Sequence, residues 1–96
     1  MHEMYKVVQT DAGPSIAHLR VPKSAKQIEI DEGNDSRLRV TCVTPTFIEG
    51  NHVMGWGPVD DRTVYRIGEE TRADEHGLYC FQRYRDAQKW MQQADI

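Results

Sequence analysis

Apolar and polar residues alternate in short, punctuated runs along most of this chain, and the period changes only near its end. MYKVVQ at 4–9 predicts a strand, closed by the turn signal Asp11-Ala12-Gly13-Pro14. IAHLRV at 16–21 predicts a second, stopped by Pro22, with Ala17, Leu19 and Val21 on one face and His18 and Arg20 on the other. A further strand starts at Gln27, ahead of the turn cluster Glu32-Gly33-Asn34-Asp35. SRLRVTCVT carries the clearest alternation: Leu38, Val40 and Cys42 face one way, Arg37, Arg39 and Thr41 the other, until Pro45 ends or bends the strand. TFIEG at 46–50 starts another short strand. GNHVMGWGPVDD at 50–61 reads as a loop or hairpin tip, and TVYRI and LYCFQ as strands.

From Tyr84 onward the apolar residues recur at Ala87, Trp90, Met91 and Ala94, which is helical spacing. Together these segments predict an α+β fold of residues 1–96. It is a single, small, mainly antiparallel sheet of about six short strands with one C-terminal amphipathic helix packed on it. A helix this short needs packing to be stable. No Ser, Thr, Asp or Asn stands just before Tyr84, so its N-terminus lacks a local cap.

Composition narrows the function classes. Ninety-six residues make one domain with a modest core. No apolar run approaches the ~20 residues of a spanning helix, and no secretory signal is visible, so the expected location is cytoplasmic, without membrane contact. The net charge is −3, and all of the acidic excess lies in the second half. Non-specific nucleic-acid binding draws on a basic surface, and this composition supplies none, so no nucleic-acid partner is expected. Cys42 and Cys80 both lie in apolar runs and read as small buried hydrophobes; a bridge between them requires neighbouring strands.

Several motifs in order resemble one family. IAHLRVPKSAKQIEI is similar to an x-LxIPxxAKRV opening, SRLRVTCVTPTFIEG to a CRAxKAxVLxIEG segment, VDDRTVYRIGEETRAD to F-YxVGxTVxPD, and GLYCFQRYRDAQKW to GIHFFxTREEAxxY. The set resembles a small uncharacterised phage and prokaryotic domain often found beside pentapeptide repeats. The resemblance covers residues 16 to about 91, with Arg37, Gly68 and Gly77 on matching positions. It departs at Tyr79, where the family has His, and at the shortened segment Glu69–His76. It implies a phage origin, with the host cytoplasm as location, and no known activity.

The candidate chemistry is sparse. Tyr65, Arg66 and Tyr79, with Glu75, echo the cofactor grip of an ADP-ribosyltransferase-like site, which makes a reduced NAD- or nucleotide-binding transferase the alternative reading. A cleft of several hundred Å³ is hard to build in so short a chain. The simpler reading pairs Tyr65 and Tyr79 across neighbouring strands. His2, His18, His52 and His76 are scattered without a ligand pattern, so no metal or other cofactor is expected. Cys80 shares a strand face with Leu78 and points inward. Met54 and Trp56, in a Gly-rich loop, are better contact residues than a phosphate cradle. With the acidic residues Asp60, Asp61, Glu69, Glu70, Asp74 and Glu75 they outline a surface for a basic partner. The leading expectation is therefore a non-enzymatic protein-binding module, phage-encoded and acting on a host protein or defence complex. A structural or self-associating domain, as a homodimer, is the third reading.

Overall fold

A computed structural model describes residues 2–29, 36–57, 63–73 and 77–93. The chain runs β1 (His2–Thr10), β2 (Gly13–Val21), β3 (Gln27–Glu29), β4 (Arg37–Val40), β5 (Cys42–Ile48), β6 (Met54–Trp56), β7 (Val64–Arg66), β8 (Thr71–Arg72), β9 (Leu78–Phe81) and α1 (Tyr84–Gln93). The fold is thus an antiparallel α+β domain with a C-terminal helix, with nine strands among the described residues instead of about six.

The extra strands arise where the sequence signal is shortest. The run 36–44 splits at Thr41 into β4 and β5, and β5 continues through Pro45 to Ile48. Pro45 sits opposite Leu19, where the β2–β5 register shifts, so the missing N–H falls at an irregularity in the ladder. β6 lies inside the segment expected to be loop, and β8 is only two residues long. β1 and β2 form a long hairpin with register Thr10↔Gly13. At its turn the Thr10 hydroxyl accepts the Ala12 N–H (3.1 Å) and donates to the Gly13 carbonyl (2.8 Å). Gly13 takes φ +104°, a value that L side chains rarely adopt.

The strand order is β3-β4-β9-β1-β2-β5-β8, with β6 beside the far half of β1 and β7 beside β6. Only Thr41 separates β4 from β5, so the ladder from β4 through β9, β1 and β2 to β5 begins and ends on one stretch of chain. Thr41 holds the corner: its N–H donates to the Lys26 carbonyl (3.1 Å) and its carbonyl accepts from Ala73 N (2.9 Å). On the opposite side, Gly68 N donates to the Pro45 carbonyl (2.8 Å) and the Thr71 hydroxyl to the Val64 carbonyl (3.3 Å), drawing the β6–β7 hairpin toward β5 and β8.

The curled sheet encloses its core. Met4, Val8, Ala17, Leu19, Val21, Leu38, Val40, Val43, Ile48, Tyr65, Leu78 and Cys80 form one buried cluster. Most are the inward positions of the period-two patterns; past the break at Thr41 the expected inward residue Cys42 is replaced in this cluster by Val43, and each fully buried aliphatic contributes about 1.5–3 kcal/mol. Lys6 shares their face of β1. It is also buried; its Nζ donates to the Tyr79 carbonyl (2.7 Å) and lies 5.7 Å from the centre of the Tyr65 ring. Cys42 and Cys80 are both buried, and no disulfide joins them. α1 packs on the outer face of β1, β2 and β9, where Ile16, Phe81 and Ala87 form a second cluster with Tyr5, Tyr84 and Met91.

Candidate functional site

The outer face carries one continuous cross-strand row. Phe47 pairs with His18, His18 with Tyr5, Tyr5 with Phe81 and Phe81 with Arg37, crossing β5, β2, β1, β9 and β4. Period-two alternation puts all five side chains on the face opposite the core. α1 lies over the row. Tyr84 meets Tyr5 edge-on (5.4 Å between ring centres, 88° between planes), and Trp90 sits 6.2 Å from Phe81. Tyr5 also meets His18 edge-on at 5.3 Å, and His18 lies 5.3 Å from Phe47. These are the offset and T-shaped geometries that aromatic quadrupoles favour.

Two glutamates frame this row. Tyr84 Oη donates to Glu49 Oε2 at 2.5 Å, and His18 Nε2 lies 3.1 Å from the same oxygen. Tyr5 Oη donates to Glu3 Oε1 at 2.9 Å, and that oxygen is 3.8 Å from His18 Nδ1. Each tyrosine donates to a carboxylate, which favours its neutral form. That bond, reinforced by desolvation and by the charge of the glutamate, raises the pKa of Tyr5 (Glu3) and of Tyr84 (Glu49) above the ordinary phenol value. The polar groups of the row thus serve one another, and their product is a helix bolted to the sheet.

The start of α1 is capped from a distance. The Arg83 N–H donates to Ser36 Oγ (3.3 Å), and that hydroxyl donates to Asp86 Oδ2 (2.7 Å), which also accepts Arg83 Nε (3.1 Å). Ser36, just before β4, thus takes up the N–H that immediately precedes the helix and holds Asp86 of its first turn. No pattern around Tyr84 signals a residue so far away in sequence.

The residues expected to make a contact surface separate into three groups. Asp60, Asp61, Asp74 and Glu75 lie outside the described residues. Glu69 and Glu70 are exposed, and Glu70 Oε1 is bridged to Arg72 Nε at 2.7 Å. Met54 and Trp56 belong to β6, paired as Met54↔Arg66, Gly55↔Tyr65 and Trp56↔Val64, with Trp56 also opposite Gln9 of β1. Gly55 and Tyr65 take the inner face of this hairpin; Met54, Trp56, Val64 and Arg66 take the outer one. Met54 and Trp56 are half-buried there, beside Val64 at 40% exposure and next to Val53 at 76%. Neither alternation nor turn signals showed that Val53 and Val64 would be exposed.

The residues of the nucleotide-site reading do not converge. Tyr65 is fully buried in the core, and Arg66, its neighbour on β7, is exposed on the opposite face, where its guanidinium lies 3.4 Å from Met54 Sδ. Tyr79 is 46% exposed on the outer face of β9 and pairs with Arg39, so it is not a cross-strand partner of Tyr65. Among the described residues no three His, Cys, Asp or Glu side chains gather as metal ligands, and no helix is long and apolar enough to cross a membrane. Compared with known protein families, curated proteins and solved structures, the chain has no match.

Proposed function

We propose that this chain is a non-enzymatic protein-binding module whose contact surface is the outward face of the β6–β7 hairpin. The observation that carries this reading is the exposure of Val64 beside Met54 and Trp56 on that face, with Val53 open to solvent just before β6. An apolar patch with a tryptophan, gathered around one arginine, has the make-up of an interface centre. The exposed Glu69 and Glu70 extend it with acidic character suited to a basic rim on the partner. The engagement of Tyr5, His18 and Tyr84 with each other and with two glutamates supports the same reading, because it commits those rings to scaffolding. A host protein or defence complex as the partner follows from the phage-like motif order.

The test is affinity capture from host lysate with the wild type, a Val53→Asp/Val64→Asp variant and a Lys89→Gln control. Each is first checked by near-UV circular dichroism. One host protein retained by wild type and control, and lost by the folded double variant, is expected. Equal capture by all three overturns the hairpin as the contact surface.

A further inference from the structure

The outward face of the β6–β7 hairpin carries both signs of charge at one end. Arg66 closes β7 and is exposed; its guanidinium lies 3.4 Å from Met54 Sδ and makes no ion pair among the described residues. Glu69 is exposed in the turn that follows, where its N–H donates to the Arg66 carbonyl (3.1 Å), and its carboxylate also makes no ion pair among the described residues. Glu70, next in the chain, differs in being bridged to Arg72. Met54 pairs with Arg66 across the hairpin, and Val53, just before it, is the most open of the large exposed apolar residues. A cation, an anion and apolar surface thus meet at one turn.

We propose that a second copy of this chain seats on this face about a twofold axis, with Arg66 of each copy against Glu69 of the other. The argument is one of charge complementarity. A twofold interface uses the same patch on both copies, so every charge in it must find its complement on that patch. Arg66 and Glu69 stand at one turn, and a rotation that exchanges them pairs both at once. A partner rim of purely basic character would leave Arg66 facing its own sign, and a purely acidic one would do so to Glu69. A second copy leaves neither. Exposed ion pairs are worth little singly, so these two set the register while Val53 and Met54 of each copy supply the apolar contact. The net charge of −3 on each chain opposes approach at long range, which leaves the local pairing to decide the orientation. This inference rests on the reading of the hairpin face as a protein contact and names its occupant; capture of a host protein is then an exchange of occupants at the same face.

The test is sedimentation velocity of the purified intact chain over a concentration series, with Arg66→Glu, Glu69→Arg, their equimolar mixture and the double variant. Near-UV circular dichroism checks each fold first. The wild type is expected to dimerise. Each single swap should weaken self-association roughly tenfold or more, because it sets like charges opposite each other twice in one interface. The mixture and the double variant should both recover, since each restores opposite signs across the axis. Rising salt should weaken the wild-type dimer without any variant, which keeps the test open if a swap does not fold. A wild type that stays monomeric, a dimer indifferent to salt and to both swaps, or a mixture without recovery overturns the proposal. A monomeric wild type alongside lysate capture that is lost in Val53→Asp/Val64→Asp removes this inference and leaves the host reading standing. The swap pattern alongside equal capture by every lysate sample does the reverse.

Discussion

Tyr84 of α1 donates its hydroxyl to Glu49 at 2.5 Å, tying the helix to the turn that follows β5. Glu49 is held in turn by its backbone: its N–H donates to the Ile16 carbonyl (3.0 Å), and its carbonyl accepts Ser15 Oγ (2.6 Å). The bond therefore reaches a fixed acceptor and joins parts of the chain that share no local signal. Tyr84→Phe keeps the ring and its contact with Tyr5 and removes only this bond. The expected loss is about 1 kcal/mol, since the site is half-buried and the surviving carboxylate can turn to water. A lower urea midpoint at an unchanged slope is the readout.

Alkaline pH should loosen the same contact. Tyr5 and Tyr84 have phenol pKa values raised by hydrogen bonds to Glu3 and Glu49. A group whose folded pKa lies above its unfolded value contributes stability that is complete below the unfolded value, about 10 for tyrosine. That contribution is lost as pH rises through the higher folded values. Denaturation midpoints above the ordinary phenol pKa should fall less steeply in Tyr5→Phe/Tyr84→Phe than in wild type. Equal slopes would remove the link.

Ser36→Ala should fray the first turn of α1. It deletes the acceptor for Arg83 N–H and the donor to Asp86, at a cost of about 1 kcal/mol. Ser36 also has φ 55°, a conformation in which glycine is less strained. Ser36→Gly loses the same bonds and regains part of that cost, so it should be the milder change. Amide exchange at Asp86 and Ala87 reads the difference.

Gly55→Ala should separate the hairpin from the core. A Cβ at Gly55 would lie 2.9 Å from Val8 Cγ2 and 3.0 Å from the Gln9 carbonyl, and the latter is backbone that cannot swing aside. Overpacking of this kind costs about 1–3 kcal/mol. The indole fluorescence of Trp56, opposite Gln9, should shift toward its solvent-exposed value, and an unshifted spectrum would show that β6 tolerates the methyl group.

Much of the scaffold was legible because it is written in local periods. The alternation of Leu38 and Val40, the inward set Ala17, Leu19 and Val21, and the helical spacing of Tyr84, Ala87 and Met91 each report a face that one element buries, whereas Cys42, expected to continue the first of these, lies past the break at Thr41, where Val43 joins the core cluster instead. What escaped depends on distant partners. β8 is too short for alternation to register, and Thr41, where the strand divides, is held by Lys26 just before β3 and Ala73 just after β8. Ser36 braces the start of a helix that begins forty-eight residues later, and His18, one of four histidines without a ligand pattern, gains its role from Glu3, Glu49 and Tyr84. The contact candidates were partly legible. Met54 and Trp56 stand out in a Gly-rich stretch, but pairing with β7 was needed to show that Val64 joins them.

The position of β9 between β1 and β4 has a consequence for how this protein comes into being. The long β1–β2 hairpin precedes β9 by more than fifty residues, yet one of its edges waits for residues 78–81. On a ribosome that releases the chain from its N-terminus, the ladder cannot be drawn shut until those residues have emerged. A nascent chain stalled before Leu78 therefore presents an open edge to whatever strand it meets first.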